Sequence, residues 1–341
     1  MATPGRRAPV MHDVALLAGV SHQTVSRVLN DHPNVRAETR VRVQQAITSL
    51  GYRRNAAART LVTRSSRTIG VVAANTTLFG PASILLAVEQ AARRRGYSVN
   101  VASLADLSTT SVTGAFGYLE DLRVSGVVVI APQRTAADAM IELPHKVPVV
   151  AVDGGLQADL PIVGVDQAEG ARLMTEHLLG LGHRTVHHVA GPEDWLEAQE
   201  RVVAWRATLQ AHGRVVPPVL RGDWTAVTAF ELGRGLADDP EVTAVFAAND
   251  QTALGVVRAM QEHGRSVPED VSVGGFDDIP EAPFFGPALT SVRQDFGLVG
   301  ETSIRILIDL FEGGLPPVGR TPERTVVPVL VPRRSTGPAP A

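Results

Sequence analysis

The sequence predicts an α/β protein in which an all-α helix-turn-helix head precedes a two-lobed core of doubly wound parallel sheets. Residues 13–30 read DVALLAGVSHQTVSRVLN, two apolar-periodic segments on either side of a four-residue link. From Ile69 onward, buried-strand patterns alternate with amphipathic helical patterns over about 260 residues, which implies two lobes. The chain of 341 residues is long enough to bury more than one core.

The first two helices of the head are predicted from their link and from their apolar spacing. Gly19 tolerates the positive φ that a tight turn needs, and Ser21 is a suitable N-cap for the second helix. Val25, Val28 and Leu29 recur at i, i+3 and i+4, so they are expected to face the first helix.

The opposite face of the second helix is polar, and it suits a DNA major groove. We expect base contacts from three residues, His22, Gln23 and Arg27. Glutamine can pair with adenine and arginine with guanine through two hydrogen bonds each. Four more residues are expected to set the register on phosphates, with Ser21 also open to a purely capping role: Ser21, Thr24, Ser26 and Asn30. The alternative is an ordinary helical hairpin with a polar outer face.

The rest of the head and the C-terminal end have simpler patterns. Apolar residues from Val43 to Leu50 predict a third helix that ends at Gly51. Asn55 caps a further segment of about two turns, too short to persist alone in water. Residues 335–341 are rich in proline and alanine, so we expect a disordered tail.

The core is predicted from a series of short apolar runs. They read as buried parallel strands: IGVVAA, YSVNVAS, GVVVIA, VPVVAVD, VGVD, TVHHVAG, AVFAAND and VSVGGFD. Amphipathic helical stretches separate most of them, for example 84–95, 170–179 and 199–210.

Charge is distributed unevenly along the chain. The total is −3, but residues 1–68 carry +8 and the remainder −11. A basic head on an acidic body indicates a polyanionic partner for the head alone.

Composition and motifs exclude several classes of protein. The chain has no cysteine, so disulfides, thiolate metal sites and cysteine nucleophiles are excluded. The sequence shows no apolar membrane span and no signal region at its N-terminus, so we expect a cytoplasmic protein without membrane contact. An enzyme is not expected, because a phosphate-binding lysine loop is impossible with Lys146 as sole lysine and no G-x-S-x-G motif occurs. His187 and His188 point to opposite faces of one strand, which favours structural roles over metal binding, and no cofactor is expected.

Taken together, the motifs of head and core resemble the lactose-repressor (LacI/GalR) family of bacterial transcription regulators from about Asp13 to Arg334. The motifs concerned are DVALLAGVSHQTVSRVLN, LGYRRNAAARTL, EHLLGLGHRTVHHVAGP, GDWTAVTAF, AANDQTALG, VSVGGFDD and LTSVRQDF. The resemblance implies a homodimer, a palindromic double-stranded DNA operator and a core like that of periplasmic sugar-binding proteins. It also implies boundaries: a DNA-binding domain at 10–54, a hinge at 55–67, and a core at 68–334 with an N-lobe of about 68–164 and 296–323 and a C-lobe of about 165–295 and 324–334.

The resemblance also assigns roles in the hinge. Asn55, Ala58 and Leu61 are expected to contact DNA, with Leu61 inserted into the central base step of the minor groove. A buried linker residue is the alternative for Leu61. The head departs from the family pattern at Val10 and Arg36, where a hydroxyl cap is usual, and at His22, so the operator sequence is not carried over.

A sugar effector site is expected in the core. Asp153, Asn249 and Asp277 end predicted strands, and ligands of open parallel sheets bind beyond the carboxyl ends of strands. Trp224 offers a flat face to a sugar ring, and Arg201 matches a family position that donates to hydroxyls. The complete expected set is Leu78, Pro81, Ile84, Asp153, Asp166, Arg201, Trp224, Asn249, Asp277 and Phe296, with Phe79 nearby.

The charges of this set disfavour an anionic effector, because two or three carboxylates surround one arginine. A neutral mono- or disaccharide therefore fits better. The family resemblance implies a repressor of sugar-utilisation genes that a galactoside releases from its operator; cellobiose or another β-glucoside is the alternative. A sugar-binding protein without DNA-dependent regulation is the competing class, and the basic head disfavours it.

Overall fold

The computed structural model describes residues 9–29, 32–52, 66–104, 106–135, 147–152, 160–314 and 318–340. Its contacts divide the chain into two compact units, Met1–Ser66 and Arg67–Ala341. The first unit contains the head, and the second contains both lobes of the core. The predicted fold class is confirmed.

Three helices make up the described part of the head: α1 (Met11–Ala18), α2 (His22–Leu29) and α3 (Ala37–Leu50). Gly19 and Gly51 end the first and third helices with φ of +61° and +62°, as their positions predicted. A small apolar core joins the three helices, formed by Val14, Ala15, Ala18, Val25, Val28, Val43, Ala46 and Tyr52. At the start of α1, where Val10 has no capping oxygen, the Asp13 carboxylate accepts from the Val10 N–H at 2.8 Å.

The N-lobe is built on a six-stranded parallel sheet in the order β11-β5-β4-β3-β1-β2. Its strands are β1 (Thr68–Ala73), β2 (Ser98–Ser103), β3 (Gly126–Ile130), β4 (Val149–Val152), β5 (Pro161–Val165) and β11 (Gly319–Val326). Helices α4 (Phe79–Arg94) and α10 (Phe296–Phe311) cover one face, and α5 (Thr109–Asp121) covers the other. Strands β1, β3, β4 and β5 are almost entirely buried and mostly valine-rich, as expected for a sheet covered on both faces. The edge strand β2, predicted to be buried, is instead mostly exposed or half-buried.

The C-lobe repeats this plan in the order β12-β10-β9-β8-β6-β7, with an antiparallel edge strand β12. Its strands are β6 (His187–Ala190), β7 (Leu220–Arg221), β8 (Ala244–Ala247), β9 (Ser272–Asp277), β10 (Thr290–Arg293) and β12 (Val329–Val331). Helices α6 (Gln167–Gly180) and α7 (Leu196–Ala211) pack on one face, and α8 (Ala226–Ala237) and α9 (Asp250–Glu262) pack on the other.

Within the described part of the core, the chain passes between the lobes at three places: after β5, after β10 and after β11. The expected boundary at residues 323 and 324 is therefore wrong by a few residues. Residues 324–326 still belong to strand β11 of the N-lobe sheet, and Thr325 and Val326 pair with β5.

The expectation of a disordered C-terminal tail is also wrong for residues 335–340. Ser335 is fully buried, its Oγ donates to the Val273 carbonyl at 2.6 Å, and the Gly337 N–H donates to Ser272 Oγ at 3.0 Å. The Ala339 N–H donates to the Leu181 carbonyl at 3.0 Å. These bonds hold in place a segment whose composition alone would not order it.

Candidate functional site

The exposed face of α2 is the first candidate site, and it lies within the head. His22, Gln23 and Arg27 are exposed, whereas Val25 and Val28 on the other side of the helix are buried in the core of the head. Side chains that read base edges need this combination of exposure and a rigid helix.

Ser21 caps α2, as predicted. Its Oγ accepts from the Thr24 N–H at 3.2 Å, and the two hydroxyls share a hydrogen bond of 2.9 Å. Ser26 is half-buried. Four of the expected DNA contacts lie outside the described residues: Asn30, Asn55, Ala58 and Leu61.

The second candidate site is a cleft between the two lobes of the core. It lies at the carboxyl ends of the C-lobe strands, where open parallel sheets bind ligands. Its walls bring together the predicted residues Leu78, Phe79, Pro81, Ile84, Arg201, Trp224, Asn249, Asp277 and Phe296, and they add Gly80, Trp195, Glu197 and Gln294.

The N-lobe wall of the cleft is apolar. Phe79 begins α4 and packs edge to face against Phe296, which begins α10, with 6.0 Å between ring centroids. Pro81 and Ile84, both buried, continue the same surface along α4. The described residues of this wall offer a ligand apolar contact and no charged group.

Trp224 and Trp195 form an aromatic corner in the C-lobe wall, edge to face at 5.2 Å. Trp224 holds φ at +72°, which is strained for a bulky residue and often marks a functional position. Its indole N–H is buried without a hydrogen-bond partner among the described residues. A bound hydroxyl or ring oxygen would satisfy that donor.

Arg201 is the cation of the cleft, and it is almost fully buried. Its Nε donates to Gln167 Oε1 at 2.9 Å, and another guanidinium nitrogen donates to the Ala248 carbonyl. The guanidinium lies 3.8 Å from the ring centroid of Phe276 and 5.7 Å from that of Trp224. Stacking between two rings holds it in one orientation.

Asp277 and Asn249 supply the polar floor. Asn249 caps α9 by accepting from the Thr252 N–H at 2.8 Å, and its amide donates to the Trp224 carbonyl at 3.3 Å. Asp277 Oδ1 accepts from Gln294 Nε2 at 2.6 Å. Burial raises the pKa of Asp277 to about 6, against the opposing attraction of Arg201.

A second carboxylate lies behind Asp277. Asp250 is fully buried and accepts from Ser291 Oγ at 2.6 Å and from the Ile279 N–H at 2.8 Å. Burial, and then the charge of Asp277, raise the pKa of Asp250 to about 8. The neighbouring Asp278 is instead paired with Arg293 and Arg333 at 2.7 and 2.6 Å.

One expected effector residue within the described ranges does not line this cleft. Asp166 caps α6, where its carboxylate accepts from the Glu169 N–H at 2.9 Å. Asp153 lies outside the described residues. Trp195 and Glu197 were missed, although Glu197 lies one helical turn before Arg201 on the same helix and was open to detection by that spacing.

The histidines of the C-lobe have structural partners. His183 contacts Thr243 Oγ1 and Ser272 Oγ at 3.0 Å each, and His188 contacts the Phe246 carbonyl at 2.8 Å. No group of three or more potential ligands for a metal ion occurs among the described residues. No helix in the described ranges is long and apolar enough to cross a membrane.

A helix-turn-helix unit joined to a two-lobed core with an interlobe cleft defines a class of ligand-responsive DNA-binding regulators. Residues 10–55 match the family model of bacterial regulatory proteins of the lacI family, and residues 175–336 match that of periplasmic binding protein-like domains. The chain belongs to the lacI family of transcriptional regulators.

Three of these regulators are similar to this chain over most of its length. The lactose operon repressor of Escherichia coli (strain K12) is 35% identical over 306 residues, covering 89% of this chain and 85% of the repressor. The regulator CelR of Thermobifida fusca is 37% identical over 321 residues, covering 90% and 93%. The repressor PurR of Haemophilus influenzae (strain PittEE) is 30% identical over 301 residues, covering 87% and 89%. These relatives are transcriptional regulators, not enzymes.

Two solved structures are similar over nearly the whole chain. The lac repressor dimer bound to operator and the anti-inducer ONPF superposes with a TM-score of 0.87 at 33% identity, covering 97% of this chain and 100% of that one. The CelR–cellobiose complex has a TM-score of 0.71 at 33% identity, covering 96% and 99%.

Proposed function

We propose that this chain is a transcriptional repressor of sugar-utilisation genes that binds a palindromic operator as a homodimer and is released by a neutral sugar. A galactoside is the favoured effector, and cellobiose or another β-glucoside is the alternative. The observation that carries the proposal is the interlobe cleft, because it combines an aromatic corner, an apolar wall and one buried charge of each sign.

The nature of the cleft supports a neutral sugar. Trp224 presents a ring to the apolar face of a pyranose, while Arg201 donates and Asp277 accepts hydrogen bonds. These two charges offset each other, and Glu197 adds a negative charge at the wall. A phosphorylated or carboxylated ligand would therefore meet net repulsion.

The exposed face of α2 and the basic head support DNA binding. His22, Gln23 and Arg27 remain available in the described structure, and the first 68 residues carry +8. Ordering of the hinge, including Leu61 in the minor groove, is the proposed bistable step, since so short a helix is marginal alone. The lac repressor neighbour was solved as a dimer on operator.

Exposed apolar side chains on the C-lobe support the homodimer. Val227 on α8, Leu254 on α9 and Phe284 in the short 3-10 helix Ala282–Phe284 are 76%, 44% and 86% exposed. Exposed apolar groups on neighbouring elements suit a subunit interface.

The choice between galactoside and β-glucoside concerns one hydroxyl. The two sugars differ in whether the hydroxyl at carbon 4 is axial or equatorial, so buried polar groups that match one orientation leave partners unpaired with the other. CelR was solved with cellobiose, and the lactose repressor is named for lactose. Both relatives are similar to this chain to nearly the same extent.

The test is a titration of the purified protein with lactose, methyl β-galactoside, cellobiose and glucose 6-phosphate, followed by tryptophan emission. A neutral sugar is expected to change the emission, the phosphate is not, and Trp224→Phe identifies the reporting ring. Gel shifts on DNA adjacent to the gene are expected to show a retarded band. The same sugar is expected to lower the affinity for that DNA about 5–150-fold. No retarded band, with or without sugar, would overturn the proposal.

A further inference from the structure

Four buried side chains form a continuous series of hydrogen bonds under the cleft, which we name the amide relay: Arg201, Gln167, Gln294 and Asp277. Arg201 Nε donates to Gln167 Oε1 at 2.9 Å, and Gln167 Nε2 donates to Gln294 Oε1 at 3.0 Å. Gln294 Nε2 then donates to Asp277 Oδ1 at 2.6 Å. Gln167 is 1% exposed and does not line the cleft, so it has no direct access to a ligand.

The two ends of the amide relay determine the direction of every bond in it. A guanidinium can only donate, and an ionised carboxylate can only accept. Each amide between them therefore turns its oxygen toward Arg201 and its nitrogen toward Asp277. Suppose that Asp277 became a donor and that the Gln294 amide turned over to accept from it. The Gln294 nitrogen would then face the Gln167 nitrogen, and neither could accept a hydrogen bond. If the Gln167 amide also turned over, its nitrogen would face Arg201 Nε, another donor. The relay thus favours Asp277 as an acceptor.

Two residues of the amide relay lie where the chain passes from one lobe to the other. Gln167 is the first residue of α6, directly after the passage from β5, and Gln294 lies in the passage from β10 to α10. The Asp166 N–H donates to the Val326 carbonyl at 2.9 Å, which ties the first passage to the third. A shift between the lobes would therefore disturb the same side chains that orient the cleft.

We propose that Gln167 is a positioning residue for the effector: its amide holds Arg201 as a donor and Asp277 as an acceptor toward the sugar. The inference rests on the proposed sugar-binding function and adds a residue that acts without touching the ligand. It predicts that Arg201 and Asp277 are no longer held as donor and acceptor when the Gln167 amide is replaced, even by a side chain of equal size.

Titration of Asp277 provides a second readout of the amide relay. The groups that face Asp277 are Arg201 on α7, Gln294 after β10 and Asp250 on α9, and the adjacent Asp278 is neutralised by its paired arginines. Burial raises the pKa of Asp277, and the bond from Gln294 opposes that rise. Loss of the Gln167 amide would free Gln294 to turn over and to accept from protonated Asp277. The pKa of Asp277 should then rise further.

The test compares wild type with Gln167→Met and Gln167→Glu, which preserve the length of the side chain. Methionine removes the donor and the acceptor; a glutamate carboxylate accepts from Arg201 but turns the Gln294 nitrogen away from Asp277. Both variants are expected to bind the neutral sugar at least about tenfold more weakly at pH 7.5, the equivalent of one lost charge-assisted hydrogen bond. The midpoint of affinity against pH should move upward. Gln261→Met is the matched control. Gln261 lies at the end of α9 and donates to the Gly286 carbonyl, so it takes no part in the relay.

Calorimetric unfolding of each variant separates a positioning role from a folding defect. A Gln167→Met protein that keeps its melting temperature but loses affinity supports the proposal, whereas unchanged affinity and an unchanged pH midpoint overturn it. If wild type binds none of the sugars, the proposed effector fails, and the amide relay is judged in the free protein by carboxyl NMR. An Asp277 pKa that is the same in wild type and Gln167→Met would then overturn the relay.

Discussion

Individual residues of the cleft hold backbone conformations that only their surroundings can impose. Trp224 and Asp277 have φ of +72° and +101°, which cost of order 1–3 kcal/mol each. Gly191 accommodates the indole of Trp224, since a Cβ there would lie 2.3 Å from the ring. The strain is consistent with side chains fixed in advance for a ligand, because pre-organised groups lose less entropy on binding.

Gln23 is the clearest single test of the DNA-contact face. Gln23→Ala removes an exposed amide from α2 without changing its apolar side, so folding should be unaffected. We expect operator affinity to fall about 5–150-fold, equivalent to 1–3 kcal/mol, with relaxed preference at one base pair. Fluorescence anisotropy with labelled operator measures both. Gln45→Ala, on the exposed side of α3, is the control, and an equal loss in that variant would contradict a base contact by Gln23.

Asp250 makes stability depend on pH. Its pKa in the folded protein is raised to about 8, above the ordinary value of 3.8, so the stability it contributes is present at low pH and is lost as pH rises through about 8. Relative to Asp250→Asn, the wild-type free energy of unfolding should fall by about 1 kcal/mol for each pH unit from about pH 5 to pH 7. Urea unfolding at several pH values measures this difference. If the free energies of unfolding of the two proteins differed by the same amount at every pH, the raised pKa of Asp250 would be excluded.

At the scale of secondary-structure elements, the C-terminal segment acts as part of the C-lobe. Residues 335–340 cover the end of the C-lobe sheet near β9, where His183 Nε2 contacts the Gly337 carbonyl at 3.2 Å as well as Ser272. The segment has no strand or helix of its own, yet it is hydrogen-bonded to β9, to His183 and to Leu181.

Deletion of residues 335–341 should therefore destabilise the core. The deletion would leave buried partners such as His183 and Ser272 exposed or unsatisfied, at about 1–3 kcal/mol for each group that stays buried. We expect a melting temperature several degrees lower for the core by scanning calorimetry. Deletion of only the last two residues retains the Ala339 bond and serves as control. Equal melting temperatures for both deletions would show that the segment adds no stability.

At the scale of the whole molecule, the charges of the head and of the core have opposite signs. The +8 of the first 68 residues attracts DNA, while the −11 of the rest disfavours contact of the core with phosphates. The lobes in turn are tied to each other by Arg320 and Glu200 at 3.2 Å and by backbone bonds between residues 132–134 and 194–196. The described arrangement is thus held by direct contacts between the lobes.

Operator affinity should accordingly fall steeply with salt. Two basic heads that together neutralise six or more phosphates would lose about a thousandfold in affinity between roughly 50 and 200 mM salt. Sugar affinity should hardly change over the same range, since the ligand is neutral and the cleft charges are buried. Titrations of both ligands at a series of salt concentrations measure this contrast. A sugar affinity as sensitive to salt as the DNA affinity would argue for an anionic effector.

Local patterns were sufficient to predict much of this molecule. The head helices, the strands β1–β6, β8 and β9, and the strand-end residues Asn249 and Asp277 depend on periodicity and on where parallel strands end. The two-residue strand β7 was missed, because so short a segment carries no periodicity. Asp166 caps the next helix, a role for which a carboxylate after a strand is equally suited, and its contact with an effector stays a prediction. The tail was misjudged because composition does not show whether a lobe offers bonding partners.

By itself, the sequence determined the fold class, the polar face of α2 and the strand-end residues Asn249 and Asp277, because each rests on interactions between near neighbours or on the regular geometry of parallel sheets. Arg201 and the apolar residues of the cleft were expected from the family resemblance instead. Only the tertiary structure decided the Trp195–Trp224 corner and the amide relay. The partners of Gln167 lie 34 and 127 residues away along the chain. No local pattern encodes such a meeting, since it exists only after both sheets have formed and the passages between the lobes have come together.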